Sequence, residues 1–558
     1  MDTQRLILIA AFFMVSLMLW QSWDVQKNPL KYSQTATQNT QDGKKTSADV
    51  KERPKDLPVL PQDDKSLDNK TTTLQSNQYV SSKRVRVITD LFDIEIDTQG
   101  ADIKKALLLD YPIDVNNNKD PVILMDQNSD TFLISQSGIL NKDNNKLYAP
   151  DHNSMYSIEK YEYNLGQQDQ LEVVFKWISD DKKMEIKKTY VFTKGEYQIK
   201  LIQEINNQSD QTINGYAYRQ FQRNNPGQKN MLMQTYTGGM LFRDGGGFEK
   251  YSFSDMEDEV LDRSMKNGWT SMIEHYFLTA WIPEPEQTQH YYSRVFQTDN
   301  YGKRYIIGLT SQAFHIQPNQ SFSINDKLFI GPKLQTKLST ISENLDDTVD
   351  YGFLSVIAHP IFWVLENIHK YINNWGWSII LLTLFIKLIF YKLSEYSYRS
   401  MAEMRKLGPK LKALQDQYKD NPQAKNQAMM KMYKKEKINP LGGCLPVVVQ
   451  IPVFISLYWV LLESVELRQA DFLFWLNNLS APDPYYVLPL VMGITMFIQQ
   501  KLNPAPTDPI QAKVMMMLPV IFTVFFAFFP SGLVLYWVTN NILSISQQWY
   551  ITRQIDNK

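Results

Sequence analysis

The sequence predicts a membrane α-helical bundle of six transmembrane helices joined to an all-β sandwich. Three observations predict it. Apolar runs of helical length cluster beyond residue 350, with one more close to residue 6; apolar residues between about 84 and 340 recur instead at every second position; and Lys and Arg are spread unevenly over the short loops. Chain-wide averages conceal this division. The 558 residues have 43% hydrophobic content and a net charge of −1, with a mean hydropathy of −0.34, because two unlike halves are being mixed. The charge argues against a chain-wide nucleic-acid footprint. A single cysteine, Cys444, excludes intramolecular disulfides and Cys-based zinc or iron–sulfur sites.

Residues 6–20 are uncharged, and with Gln21, Ser22 and Trp23 the run approaches the roughly 20 residues that span a ~30 Å hydrocarbon core. Arg5 is offset by Asp2 and no small-x-small exit follows, so 1–23 is expected to be an uncleaved anchor rather than a signal peptide. Residues 24–80 are rich in Gln, Asn, Thr, Lys and Asp, with Pro54, Pro58 and Pro61. Such a stretch buries too little apolar surface to offset its ordering entropy, and a flexible tether is expected.

From 81 to 345 the period is two. Val85 and Val87, then Phe92, Ile94 and Ile96, later Val173, Phe175 and Trp177, Met184 and Ile186, and Tyr197, Ile199 and Leu201 alternate with polar residues, and Ser179-Asp180-Asp181 and Thr193-Lys194-Gly195-Glu196 mark turns. Short alternating strands broken by turn residues indicate antiparallel sheet, and this length of pattern suggests one large β-sandwich.

Residues 353–374 are amphipathic, with Phe353, Val356, Ile357, Pro360, Ile361, Val364, Leu365 and Ile368 on one side, and are expected to lie in the membrane interface. Trp375 and Trp377 suit headgroup depth. Five spans are expected at 375–394, 441–462, 485–500, 514–529 and 531–552, with a cytoplasmic helical hairpin at 395–440, a loop outside at 463–484, a cytoplasmic loop at 501–513 and a cytoplasmic tail at 553–558. Two spans of about 16 residues would cover only about 24 Å, a mismatch that local bilayer thinning accommodates. Segment 392–440 carries 12 Lys/Arg against five Asp/Glu, whereas 463–484 carries Arg468 against Glu463, Glu466, Asp471 and Asp483. The positive-inside bias then puts both termini in the cytoplasm and the β-domain outside.

Lys387 is the most informative residue. A cation within a span costs roughly 2.5–3.5 kcal/mol on insertion scales, which makes it a functional candidate. It stands about 16 Å from the outer end of its helix, and Thr383 shares its face. Snorkelling to the inner headgroups is the bland alternative. Asn540, Ser544 and Gln547 or Gln548 form a polar stripe on the last span, Thr495 and Gln499 another, and Gln450 and Ser456 a third. Polar residues often simply glue helices together; several stripes with one cation fit a wet, positive groove between helices, suited to an acidic or polar guest. In the hairpin, Met401, Met404, Leu407, Leu411, Leu414 and Tyr418 recur every three or four residues, Asp420-Asn421-Pro422 breaks the helix, and Met429, Met432 and Tyr433 mark a second apolar face. Self-packing explains most of this, although flexible Met side chains also suit a partner surface, and surplus Lys and Arg, Arg405 among them, would face lipid headgroups or ribosomal RNA. The six histidines, His152, His275, His290, His315, His359 and His369, show no metal-ligand spacing. Residues 244–247 (Asp-Gly-Gly-Gly) read as a turn, and no nucleophile, metal or cofactor site emerges.

The motifs Asn439-Pro440-Leu441-Gly442-Gly443-Cys444-Leu445-Pro446, Gln450-Ile451-Pro452-Val453-Phe454, Val465-Glu466-Leu467-Arg468-Gln469-Ala470, Asp483-Pro484-Tyr485-Tyr486, and Phe529-Pro530-Ser531-Gly532 through Tyr536 resemble those of the YidC membrane protein insertases. The run from Leu518 to Phe526 (Leu-Pro-Val-Ile-Phe-Thr-Val-Phe-Phe) does so too. The resemblance is specific over about 353–552 and weaker over the first span and the β-domain, whose presence resembles the Gram-negative branch. It implies a five-helix insertase core enclosing a hydrophilic groove open to cytoplasm and lipid, in the bacterial inner membrane, with a supersandwich-like periplasmic domain that is not catalytic. It implies insertion and folding of nascent inner-membrane proteins, alone or with the Sec translocon and its accessory subunits, with the ribosome and membrane lipids as further partners and without an enzymatic activity or cofactor. The groove cation in this family is usually arginine; Lys387 keeps the charge but loses the bidentate fork. The resemblance also implies a client-binding groove of Lys387, Thr383, Gln450, Asn540, Ser544 and Gln547, a hydrophobic slide of Phe454, Met492, Phe525 and Trp537, and a hairpin surface at Met401, Arg405 and Met429. Residues 551–558 are only weakly basic, so the strongly basic ribosome-binding tail of some relatives is not expected. Two other readings remain: an ion-coupled secondary transporter, which predicts inverted repeats that the sequence does not display, and a tethered carbohydrate enzyme, which predicts paired acids in the β-domain.

Overall fold

The computed structural model describes residues 56–58, 83–114, 117–128, 130–141, 149–227, 235–243, 247–298, 302–418, 421–436, 445–503 and 509–556. The expected anchor at 1–23, nearly all of the tether, residues 244–246 of the glycine turn, and Cys444 lie outside them.

The period-two segments are strands. Arg84–Ile88 buries Val85 and Val87, Phe92–Asp97 buries Phe92, Ile94 and Ile96, and Gln170–Ile178 buries Val173, Phe175 and Trp177. Alternation turns those side chains to one face of the pleat, and two sheets close over them. An eleven-stranded sheet runs from Asp262–Lys266 at one edge to Glu162–Asn164 at the other; an eight-stranded sheet runs from Gly247–Tyr251 to Gln170–Ile178. Among the described residues pairing is antiparallel except between Arg84–Ile88 and Glu162–Asn164. Aromatic rings fill the space between the sheets, with Phe221 stacked on Trp281 at 6.1 Å and Phe92 edge-on to Tyr197 at 5.6 Å. Two cations are buried with them. Arg219 reaches Asp326 at 2.5 Å, and Lys188 donates to the carbonyls of Gly100 and Ser137 at 2.6 and 2.7 Å.

The tether departs from expectation at residues 56–58. Leu57 is buried against Leu140, Tyr216 and Tyr218. Asp56 pairs through Oδ2 with His152 Nε2 at 2.8 Å, and Gln220 donates to the Asp56 carbonyl at 3.0 Å. One leucine within a polar stretch thus finds a pocket on the larger sheet, and a buried histidine supplies the counter-charge. Composition averaged over 24–80 hides both.

Short helices α1 (Phe253–Asp258) and α2 (Gln335–Ile341) belong to the β-domain. The helical region holds α3 (Ser355–Ile372), α4 (Trp375–Ile389), α5 (Tyr391–Lys406), α6 (Gly408–Gln417), α7 (Pro422–Lys435), α8 (Leu445–Glu463), α9 (Val487–Leu502), α10 (Pro509–Phe526) and α11 (Ser531–Asp556). Among the described residues no single helix is long and apolar enough to cross a membrane; α4 and α5 pass that test only together, bent by 69°. Within the span expected at 375–394 the helix therefore breaks, α4 ending at Ile389 and α5 starting at Tyr391. The apolar run fades through Phe390 and Tyr391, and Lys392, Glu395 and Arg399 follow on an amphipathic helix. The expected two-helix hairpin is three helices, because the chain breaks at Leu407, where Gly408-Pro409 opens the first turn of α6. Proline fits a first turn, which needs no amide hydrogen, and disfavours helix continuing into it. On α3 the packed stripe is Ala358, Ile361, Phe362 and Leu365, whereas Phe353 and Val356 are each 86% exposed. The helix is apolar on two sides, so the single face expected from its spacing is corrected.

The β-domain and the helical region meet in a polar junction. Arg468 and Gln469 donate to the Pro112 carbonyl at 2.7 and 2.6 Å, and His275 Nε2 lies 2.9 Å from the Leu462 carbonyl oxygen. Burial, with Lys333 nearby, pushes the His275 pKa down to about 3 and keeps it neutral.

Candidate functional site

Helix α4 begins where Asn373 takes a left-handed conformation (φ 55°) and Asn374 caps the new helix by accepting from the Trp377 amide at 3.0 Å. Gly376 sits so close to Phe472 that a Cβ there would lie 2.0 Å from the ring. These contacts fix the rotation of the helix. Gly376, Ile379, Leu382, Thr383 and Ile386 turn inward, and Leu381, Leu384, Phe385, Leu388 and Ile389 are exposed.

One turn beyond Thr383, Lys387 donates from Nζ to Ser544 Oγ at 2.8 Å. Among the described residues no carboxylate interacts with it. Ser544 donates in turn to the Asn540 carbonyl at 2.7 Å, and Gln450 on α8 donates to Asn540 Oδ1 at 2.6 Å, with Tyr536 hydroxyl 3.5 Å away. Gln547 reaches the Tyr391 carbonyl at 3.4 Å, just past the α4–α5 bend. The helical spacing of 540, 544 and 547 on α11 puts these groups on one stripe, which zips α11 to α4, α5 and α8. A parallel row lies beside it, joining Thr495 and Gln548, both expected on polar stripes, to Asn541 and Asn503, which the sequence patterns do not single out. Asn541 donates to Thr495 at 3.1 Å, and Gln548 to Asn503 at 3.1 Å. The alternation of polar residues at 540/541 and 547/548 is the signal that α11 serves two neighbours rather than one.

Five of the six expected groove residues, Lys387, Gln450, Asn540, Ser544 and Gln547, thus lie along one seam. Thr383 stands apart, buried and donating to the Ile379 carbonyl of its own helix at 2.7 Å. Next to the seam a small pocket of about 20 Å³ opens between α4, α5 and α8, lined by Ile386, Lys387, Phe390, Ser394, Gln450, Val453 and neighbouring Val and Leu side chains. Its walls are mostly apolar, so the polarity is concentrated at the lysine and glutamine.

Phe454 and Trp537 meet at 4.5 Å with perpendicular rings, and Trp537 lies 5.2 Å from Phe526. Phe525 packs on Phe529 at 4.7 Å yet is half exposed, whereas Met492 is completely enclosed in the helical core. Three of the expected slide residues therefore share an aromatic surface, and the fourth packs the interior. On the hairpin, Met401 and Met429 are partly buried and Arg405 is exposed; Lys410 closes α6 onto the end of α7 through Glu436 at 3.1 Å. Exposed apolar side chains also cover α9 (Leu490, Ile494, Phe497, Ile498) and α10 (Val514, Met517, Val520, Ile521, Val524), far more than a soluble surface normally shows in one region.

Two protein families match the chain. Residues 84–364 match the YidC periplasmic domain and residues 367–558 match the 60Kd inner membrane protein family. The membrane protein insertase YidC of Methylococcus capsulatus is 47% identical over 560 residues, covering 100% of this chain and 99% of that protein. Those of Thioalkalivibrio sulfidiphilus and Nitrosococcus oceani are 45% and 44% identical, each across 100% of this chain. A solved structure of an active YidC insertase with its first transmembrane domain resolved aligns with a TM-score of 0.40 at 17% identity, covering 84% of this chain and 93% of that one.

Proposed function

The chain belongs to the YidC family of membrane protein insertases, and from that premise we propose that it inserts nascent inner-membrane proteins by way of the Lys387 seam. The observation that carries the proposal is the Lys387–Ser544 contact: a cation without a carboxylate partner among the described residues, embedded in an uncharged polar seam, behind helices whose outer faces are apolar and exposed. In this reading α4 with the first part of α5, and α8 to α11, form the five-helix core, the segment at 1–23 adds a sixth span, both termini are cytoplasmic, and the β-domain is periplasmic.

The polar flank of a client enters from the cytoplasmic side at the α4–α5 bend. Ser544 yields its acceptor and Lys387 turns to the client's carboxylates, so part of the desolvation cost of carrying that flank inward is offset. Gln450 and Asn540 are bonded to each other at rest, and each can instead bond client backbone. The client's apolar segment meanwhile passes along Phe454, Phe525 and Trp537 into lipid, driven by roughly 25 cal/mol per Å² of apolar burial. The apolar helix α9, of 16 residues, is shorter than an average bilayer core, and thinning around it shortens the path. Membrane potential draws an acidic flank outward by about 2.3 kcal/mol per charge per 100 mV. Cooperation with the Sec translocon and its accessory subunits, and docking of the ribosome on the basic hairpin, belong to the same proposal.

Depletion–complementation tests it. In a cell depleted of its own insertase, the wild-type chain and Lys387→Arg are expected to insert a small client with an acidic outer flank, and Lys387→Ala to fail. Equal insertion by Lys387→Ala would remove the cation from the mechanism.

A further inference from the structure

The junction between the β-domain and the helical region holds a second pocket, of about 130 Å³, room for a small polar group rather than for the ~300–1,000 Å³ of a drug-sized molecule. Its charged groups come from both sides. Lys333, which follows the last β-strand, is only 3% exposed, and its ammonium has three donors but reaches the Thr348 carbonyl at 3.4 Å and Glu463 Oε2 at 3.5 Å. Both contacts are long for a buried cation, which normally gathers short, charge-assisted bonds. Across the pocket Lys250 pairs with Asp350 and sits 4.9 Å over the Tyr236 ring. Asp350 is fixed by accepting from the Gly352 amide at 2.7 Å. The pocket therefore has two cations and two carboxylates, with the buried pair loosely closed.

The chain leaving this pocket is apolar and uncovered. Phe353 follows Gly352 directly, Val356 lies one turn on, and both are 86% exposed, while Trp459 forms part of the pocket wall. A polar, charge-balanced recess beside an exposed apolar strip suits a molecule with a small zwitterionic head and a hydrocarbon body. We propose that this recess binds the headgroup of an aminophospholipid. Its phosphate lies between Lys333 and Lys250, its primary ammonium faces Glu463 and Asp350, and its acyl chains run over Phe353 and Val356. An anionic headgroup without the ammonium would leave both carboxylates facing its negative charge, and a trimethylated one has no N–H to donate to them. The inference rests on the membrane placement of the preceding section, because only there does the junction lie at headgroup depth.

The test uses the full chain in detergent, with lipid retention read by native mass spectrometry. Phosphatidylethanolamine is expected to be retained at least tenfold more strongly than phosphatidylcholine or phosphatidylglycerol, and Lys333→Met and Lys250→Ala each to lose that preference. Lys250 is at the pocket rim, so its variant decides the matter even where the buried Lys333 variant does not fold. Equal retention of the three lipids, or unchanged preference in Lys250→Ala, overturns the proposal; displacement by millimolar inorganic phosphate reassigns the recess to a free anion and overturns it as well. Scoring the wild-type protein for client insertion in parallel separates the two claims. Insertion without lipid preference refutes this site alone, and lipid preference without insertion refutes the proposed function alone.

Discussion

Glu466 lies in the turn Val465–Leu467 where α8 leaves for the junction, and its Oε2 is enclosed without a hydrogen-bond partner among the described residues. Burial pushes its carboxyl up to about 7 from an ordinary 4.5, against smaller opposing contributions from backbone amides and Lys333. Folded-state pKa being raised, the stability it contributes is complete below pH 4.5, falls as pH rises from there to 7, and is flat above. At ~1.4 kcal/mol per pH unit, ionising it costs the folded chain roughly 3 kcal/mol. Glu466→Gln keeps the shape and removes the charge. Thermal unfolding of the full chain in detergent is expected to show no difference between variant and wild type at pH 4.5, and a gain for Gln that grows to roughly 6–12 °C at pH 8, at about 2–4 °C per kcal/mol for a unit of this size. A Gln variant no more stable than wild type at pH 8, or equally advantaged at pH 4.5, would mean that Glu466 is not held protonated by burial.

Other outcomes follow from the same packing. Burial alone would lower the His152 pKa, but the Asp56 carboxylate outweighs it and raises it above 6.5, while Asp56 itself is held below 3.8. The clip at residues 56–58 is therefore strongest between those values and loosens as pH climbs past the raised His152 pKa, so limited proteolysis there should accelerate from pH 6 to pH 9, and His152→Phe should erase that dependence. Gly376→Ala forces a methyl into the Phe472 ring and should cost about 1–3 kcal/mol, seen as a lowered melting temperature of the helical region. Asp326→Asn leaves Arg219 buried without its counter-charge and should cost about 3–5 kcal/mol, measurable as a lowered denaturant midpoint.

Legibility in the sequence followed the range of the interaction. Strands such as Phe92–Asp97 and Gln170–Ile178 were readable because alternation is a local pattern, and the seam on α11 because 540, 544 and 547 recur at helical spacing. Lys387 was readable because a cation in an apolar run is costly wherever the helix packs. The α4–α5 bend was not, since Phe390 carries no proline or glycine to mark it and the apolar run merely fades. Nor was the packed face of α3: apolar residues occupy two sides, and spacing alone does not say which one meets protein. The docking of Leu57 and the Lys333–Glu463 pair join residues remote in the chain, and no local pattern announces either. Thr383 shares a helical face with Lys387 by spacing, yet its hydroxyl satisfies itself on the Ile379 carbonyl, a choice open to any helical threonine.

In the proposed mechanism a client's polar flank enters the Lys387 seam while its apolar segment leaves past Phe454 and Trp537. Site-specific photocrosslinking of a ribosome-arrested client tests it most directly, with the probe placed in turn at Gln450, Trp537 and the outward-facing Leu388. The client's acidic flank is expected to crosslink at 450, its apolar segment at 537, and neither at 388. Crosslinks concentrated at 388, or absent from 450 while insertion proceeds, would contradict that mechanism.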